Sequence, residues 1–148
     1  IIGSKTDEKA DLGMAPAIEI YSYDIDSYYT EIVNSGVDIS TNSWGNNNKS
    51  LLGNYTSSSS YDFDNAIRNN DIICFKSAGN ENDGNLYNTI TPPGTAKNII
   101  TVGAATEDLF SDTAYFSSFG PCDDGRIKPE IVAPGYNIFL GVVEYYNS

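Results

Sequence analysis

The chain has no histidine, one methionine, one tryptophan and two cysteines in 148 residues, and only eight lysines and arginines against twenty aspartates and glutamates. Each shortage excludes something. Without an imidazole the chain cannot itself supply the general base of a Ser-His-Asp hydrolase. With no histidine and no C-x-x-C it offers no zinc site. Two cysteines make no disulfide framework: Cys74 sits in the apolar run Ile72-Ile73-Cys74-Phe75 and reads as a small buried hydrophobe, while Cys122 falls in a turn-rich stretch. A net charge of −12 and a pI near 4.1 set the chain against nucleic acid and anionic membranes, which need clustered Lys and Arg. That acidity reads as a solubilising surface. No apolar run approaches the ~18 residues that would span a bilayer. No internal repeat is present, and Ile1-Ile2-Gly3 opens without a methionine or a signal pattern, as if mid-pattern. No G-x-G-x-x-G or G-x-x-x-x-G-K-[ST] follows a predicted strand, so the nucleotide-binding reading of a parallel α/β chain has no motif to carry it.

What is present reads as one globular α/β domain, with 40% hydrophobic residues. Residues 17–22 alternate as a strand. Asp24 to Gly36 then place Ile25, Tyr28, Tyr29, Ile32 and Val33 on one helical face, with Asp24 as N-cap and Gly36 as C′ terminator. Residues 37–43 read as a polar strand, and the Asn- and Ser-rich 46–60 as a loop. The sequons Asn48-Lys49-Ser50 and Asn54-Tyr55-Thr56 in that loop carry no functional weight. Phe63, Ala66 and Ile67 mark a short helix. Residues 72–75, 98–103 and 130–132 complete a strand–helix alternation typical of an open parallel sheet, and 136–143 read as one or two more extended segments. Between the third and fourth strands, Ala78 to Lys97 show no periodicity. Loops of that length are commonly functional, and ligands gather beyond the carboxyl ends of parallel strands. Asn80 and its neighbours lie at such a place.

Five segments in order carry a family resemblance: Gly13-Met14-Ala15-Pro16, Ser43-Trp44-Gly45, Ser77-Ala78-Gly79-Asn80-Glu81, Phe116-Ser117-Ser118-Phe119-Gly120 and Lys128-Pro129-Glu130-Ile131-Val132-Ala133-Pro134-Gly135. They resemble the middle of a subtilisin-like serine protease domain, between its histidine and serine motifs. The D-S/T-G, H-G-T-H and G-T-S-M-A motifs of the family are absent. The resemblance implies a partial three-layer α/β/α fold with a mostly parallel sheet, with residues 1–148 as a fragment of one catalytic domain and no separate second domain. It implies that Asn80 is the oxyanion-hole donor. Ser43, Trp44 and Gly45 would form one wall of the S1 pocket, and Ser77, Ala78 and Gly79 the other. Two side chains keep a second reading: Trp44 as an ordinary core aromatic, and Glu81 as either an S1 element favouring basic side chains or a solvated loop carboxylate.

The implied function is that of a serine endopeptidase fragment, inactive alone, with peptides or proteins as the parent's substrates. The alternative is a non-catalytic pseudoprotease segment that binds or scaffolds. Secretion or cell-surface exposure follows from the resemblance only. No cofactor is read from the residues. A calcium ion enters through the resemblance alone, because Asp123-Asp124-Gly125 reads as a turn and Asp24-Ile25-Asp26 as a helix cap. The resemblance also implies a cis bond between Pro92 and Pro93. Finally, the family strand that would lie between 17–22 and 37–43 is missing. An open parallel edge would then close up, release 17–22, or recruit a second copy of the chain, with rearrangement expected over 1–36 and native-like strands at 71–77 and 98–103.

Overall fold

The computed structural model describes residues 13–84, 87–106 and 112–138. They fall into two units, one comprising Ile1–Tyr23 with Ile138–Ser148 and the other Asp24–Asn137. In the first unit the described residues 13–23 form a turn at 16–17 and no strand or helix. The strand expected at 17–22 is therefore not formed. Ile18, Ile20 and Tyr21 are all exposed. Alternation alone supplies a face but no hydrogen-bonded neighbour, and a strand needs one. Most of 136–143 lies outside the described residues, and Tyr136, Asn137 and Ile138 are in no strand.

The second unit is built on helices α1 (Tyr28–Ser35) and α2 (Ser58–Asn70) and strands β1 (Ile39–Asn42), β2 (Ile73–Ser77), β3 (Ile100–Ala105) and β4 (Ile131–Pro134). The strands lie in the order β1-β2-β3-β4, all parallel. The sheet is the expected parallel α/β sheet, and β2 and β3 overlap the expected strand segments 71–77 and 98–103.

Local chemistry explains the ends of both helices. A 3₁₀ turn, Ile25–Ser27, leads into α1, and the Asp24 carboxylate accepts from the Asp26 amide at 3.4 Å. Gly36 closes α1 in the left-handed region at φ 66°, which a residue without Cβ adopts freely. α2 begins five residues before the first expected apolar position. Ser57 caps it, its hydroxyl accepting from the Ser60 amide at 3.4 Å. Residues 58–60 thus belong to a helix and not to the loop that their composition indicated, because serine at an N-cap favours the helix that serine inside one weakens.

The two helices share one face of the sheet. Ile32 of α1 and Phe63 and Ala66 of α2 pack with Ile72, Cys74, Ala96 and Ile99. The opposite face shows Ile39, Ile73 and Ile131 exposed. Among the described residues the parallel sheet and the helices packed on it agree with the expected partial α/β/α fold. The Pro92–Pro93 bond is cis, as expected, and so are Gly120–Pro121 and Lys128–Pro129. Asp123, Asp124 and Gly125 form the expected turn, closed by the Gly125 amide donating to the Cys122 carbonyl at 2.8 Å.

Candidate functional site

Two segments leave the carboxyl ends of neighbouring strands, residues 43–45 after β1 and 78–81 after β2. Both rest on Thr91, which is buried at 3% exposure. Its amide donates to the Ala78 carbonyl at 2.9 Å and its hydroxyl donates to the same oxygen at 3.2 Å. A Cβ added to Gly45 would lie 2.8 Å from Thr91 Oγ1, and one added to Gly79 would lie 2.6 Å from both Thr91 Oγ1 and Thr91 Cγ2. The two glycines let two backbones approach one side chain. The Asn46 amide, donating to the Pro92 carbonyl at 2.9 Å, fastens the first segment to the same turn.

The second segment is pinned on both sides of Asn80. Ser118 donates its amide to the Gly79 carbonyl at 2.9 Å, and its hydroxyl accepts from the Glu81 amide at 2.9 Å. Gly79 has φ 110°, a conformation that L side chains rarely adopt. The Asn80 side chain is exposed and has no hydrogen bond among the described residues. Its amide is free to donate, without carrying a charge or a titratable proton.

Asn80 and Glu81 line an open cleft of about 300 Å³ together with Thr89, Tyr115, Phe116 and Lys49. Asp83 also borders it. Ser43 and Gly45 are exposed beside this region but do not line that cleft. The Trp44 ring turns inward instead. It lies 4.7 Å from Tyr28 and 6.0 Å from Phe63 between ring centres, and its Nε1–H donates to Asn42 Oδ1 at 3.2 Å. Of the two readings of Trp44, the ring has the surroundings of a core aromatic, and its backbone alone remains with the segment 43–45. Ala78 is buried, and Ser77, Gly79 and Glu81 are half-buried.

Three residues at the site were not singled out by sequence. Thr91 carries no motif beyond preceding Pro92-Pro93. Ser118 belongs to the Phe116–Gly120 motif, which by itself assigns it no role. Lys76 is a cation inside a buried strand; burial lowers its pKa to about 8. Among the described residues no group of three or more histidine, cysteine, aspartate or glutamate side chains converges as a cation site.

The sequence profile described as the subtilase family matches residues 1–148. Pyrolysin of Pyrococcus furiosus is 32% identical over 142 residues, covering 79% of this chain and 10% of its own length. Serine protease AprX of Bacillus subtilis is 44% identical over 72 residues, covering 45% of this chain and 16% of its own. A subtilisin-like serine protease of Cochliobolus lunatus is 45% identical over 62 residues, covering 41% and 10%. The chain thus spans a small part of each of these relatives.

Proposed function

Because this chain belongs to the subtilase family, we propose that it is the portion of a serine endopeptidase domain that carries the oxyanion donor and two walls of the substrate pocket. Asn80 is the donor. Ser43-Trp44-Gly45 and Ser77-Ala78-Gly79 are the walls, and Glu81 stands at the rim of the cleft. The observation that carries this reading is the free Asn80 amide, exposed at the carboxyl end of β2 between two residues whose backbones Ser118 holds.

The chemistry follows from that placement. Attack on a peptide carbonyl moves negative charge onto the carbonyl oxygen. An amide already held in position stabilises that oxygen more than it stabilises the ground-state carbonyl, by ~3–4 kcal/mol, a magnitude known from a subtilisin and so from this family. Pinning matters because a donor that must reorganise during the reaction gives part of that gain back. Trp44 serves the wall through its backbone, with its ring anchored in the core. Peptides are the substrates, and secretion or cell-surface display accompanies this reading.

The general base is not in this chain, which has no histidine. The chain alone is therefore inactive, and the full-length protein supplies the base and the nucleophile. The test is turnover of a chromogenic peptide by the full-length protein and its inactivation by a serine-directed fluorophosphonate. Peptide binding without turnover or labelling would replace the endopeptidase by a non-catalytic binding domain. Turnover by the isolated chain would overturn the assignment of the base and the nucleophile to the rest of the protein.

A further inference from the structure

Lys76 has no part in the chemistry above, yet its position is unusual for a lysine. It lies in the middle of the sheet, in register with Asn42 on β1 and Thr101 on β3, and it is 1% exposed. Its ammonium donates to the Ser77 carbonyl and to Ser77 Oγ at 2.9 Å. No carboxylate reaches it: the ion pairs among the described residues are Arg126 with Asp124 and Lys128 with Glu130. An ammonium has three donors and two are used. A buried cation without an anion is a costly arrangement that folding alone gives no reason to keep.

Ser77 completes the picture. Its oxygen accepts from Lys76, so its own proton points elsewhere, and no acceptor for that proton lies among the described residues. It is half-buried, at the last position of β2, directly before the Ala78-Gly79 wall. A hydroxyl that accepts from an ammonium is polarised into a stronger donor.

We propose that Lys76 and Ser77 form a carboxylate-recognition element in the substrate pocket: the Ser77 hydroxyl donates to an acidic side chain of the substrate, and the Lys76 ammonium behind it supplies the compensating charge. The inference rests on 77–79 being a pocket wall. With Nζ 2.9 Å from Oγ and a carboxylate one hydrogen bond further on, the opposite charges stand within the ~4–6 Å over which they favour each other strongly. The other cation at the site, Lys49, lines the neighbouring cleft together with two carboxylates. The chain carries a net charge of −12, and Glu81 and Asp83 border the neighbouring cleft. A carboxylate preference that Lys76→Met abolishes therefore belongs to Lys76 and not to Lys49.

The test is equilibrium binding, by calorimetry, of matched tetrapeptides ending in Glu, Gln or Lys to the full-length protein treated with a fluorophosphonate. The native protein binds the Glu peptide about tenfold more tightly than the Gln peptide, the ratio that a charge-assisted hydrogen bond adds over a neutral one. Lys76→Met, which keeps the volume and removes the charge, brings that ratio close to one. Ser77→Ala lowers it with the buried cation still in place, and so serves if the first variant does not fold. An equal Glu-to-Gln ratio in the native protein, or a preference that survives Lys76→Met, overturns the proposal; both results would make Lys76 a structural cation, paired elsewhere in the full-length protein. A protein that binds Glu peptides through Lys76 but neither turns peptides over nor takes up the fluorophosphonate would sink the protease reading and leave this one standing. Turnover without a Lys76-dependent ratio would do the reverse.

Discussion

Thr91 holds the carbonyl of Ala78 twice, through its amide at 2.9 Å and through its hydroxyl at 3.2 Å. Two bonds on one oxygen fix the plane of the peptide between Ala78 and Gly79. That plane sets where Gly79 turns, at φ 110°, and hence where Asn80 stands. The geometry of the proposed donor is therefore decided by a residue eleven positions downstream of it in the chain.

Gly79→Ala tests this directly. The new methyl would stand 2.6 Å from two Thr91 atoms and 3.0 Å from Ser118 Oγ, at φ 110°. Backbone strain and crowding each cost ~1–3 kcal/mol. Gly36→Ala is the control, since Gly36 has φ 66° and nothing within 4 Å, and it should lose only ~1 kcal/mol. Denaturant unfolding of the two variants measures the difference. Equal losses would show that Gly79 is not crowded by Thr91.

Asn80→Ala in the full-length enzyme lowers kcat by ~10²–10³ with KM nearly unchanged, because the bond forms in the transition state and not in the ground state. Steady-state kinetics on a peptide substrate decides it. An intact kcat would remove Asn80 from the oxyanion role.

Lys76 makes stability depend on alkaline pH. Burial lowers its pKa from 10.5 to about 8, so the folded state disfavours the charged form. Below about pH 8 both states carry the proton and the penalty is complete. Between the two pKa values the folded protein releases its proton while the unfolded chain keeps it, so this contribution to stability rises with pH. Lys76→Met should be more stable than the native protein at neutral pH, and the gap should shrink by pH 10. Unfolding curves of both proteins across that range isolate the effect from the tyrosines, which both share. A constant gap would mean that the Lys76 pKa is not depressed.

Lys128 is a second buried lysine, this one paired with a carboxylate, the exposed Glu130. Lys128 Nζ lies 2.6 Å from Glu130 Oε1 and donates to the Ile99 carbonyl at 3.0 Å and to Thr101 Oγ1 at 3.2 Å. Glu130 Oε2 accepts the Thr101 amide at 2.7 Å. Glu130→Ala strands a buried cation and an amide; because the glutamate side chain is 37% exposed, a loss of about 2 kcal/mol is expected, below the range for a fully buried pair. Lys128→Met leaves an anion that water can reach and should lose less. Chemical denaturation of both variants ranks them, and the opposite order would contradict the pair's asymmetry in burial.

Much of the site could be read from sequence wherever its cause was local. Gly36 ends α1 as expected, because a left-handed terminator acts within one turn of chain, whereas Asp24 caps the 3₁₀ turn Ile25–Ser27 and α1 itself starts only at Tyr28. The turn at Asp123–Gly125 follows from a short motif, whereas the cis Pro92–Pro93 bond is implied by the family resemblance. The segment 77–81 stood out because a long loop follows a buried strand. The start of α2 differs from the sequence expectation because Ser57–Ser60 admit two local outcomes, cap or loop, and packing chooses between them.

The sequence by itself determined the α/β alternation, the parallel sheet and the place of Asn80 at a strand's carboxyl end, since periodicity, turn residues and motif order are properties of neighbours in the chain. Only the tertiary structure decided the rest. Residues 17–22 alternate correctly and form no strand, because a strand exists only with a partner. Trp44 turns into the core because Tyr28 and Phe63 are there to receive it. Thr91 and Ser118 fix Asn80 from 11 and 38 positions away, and Lys76 became visible as an unpaired buried cation only once its surroundings were known. Hydrogen bonds, burial and charge compensation join residues distant in sequence, and no local pattern records the distance that folding removes.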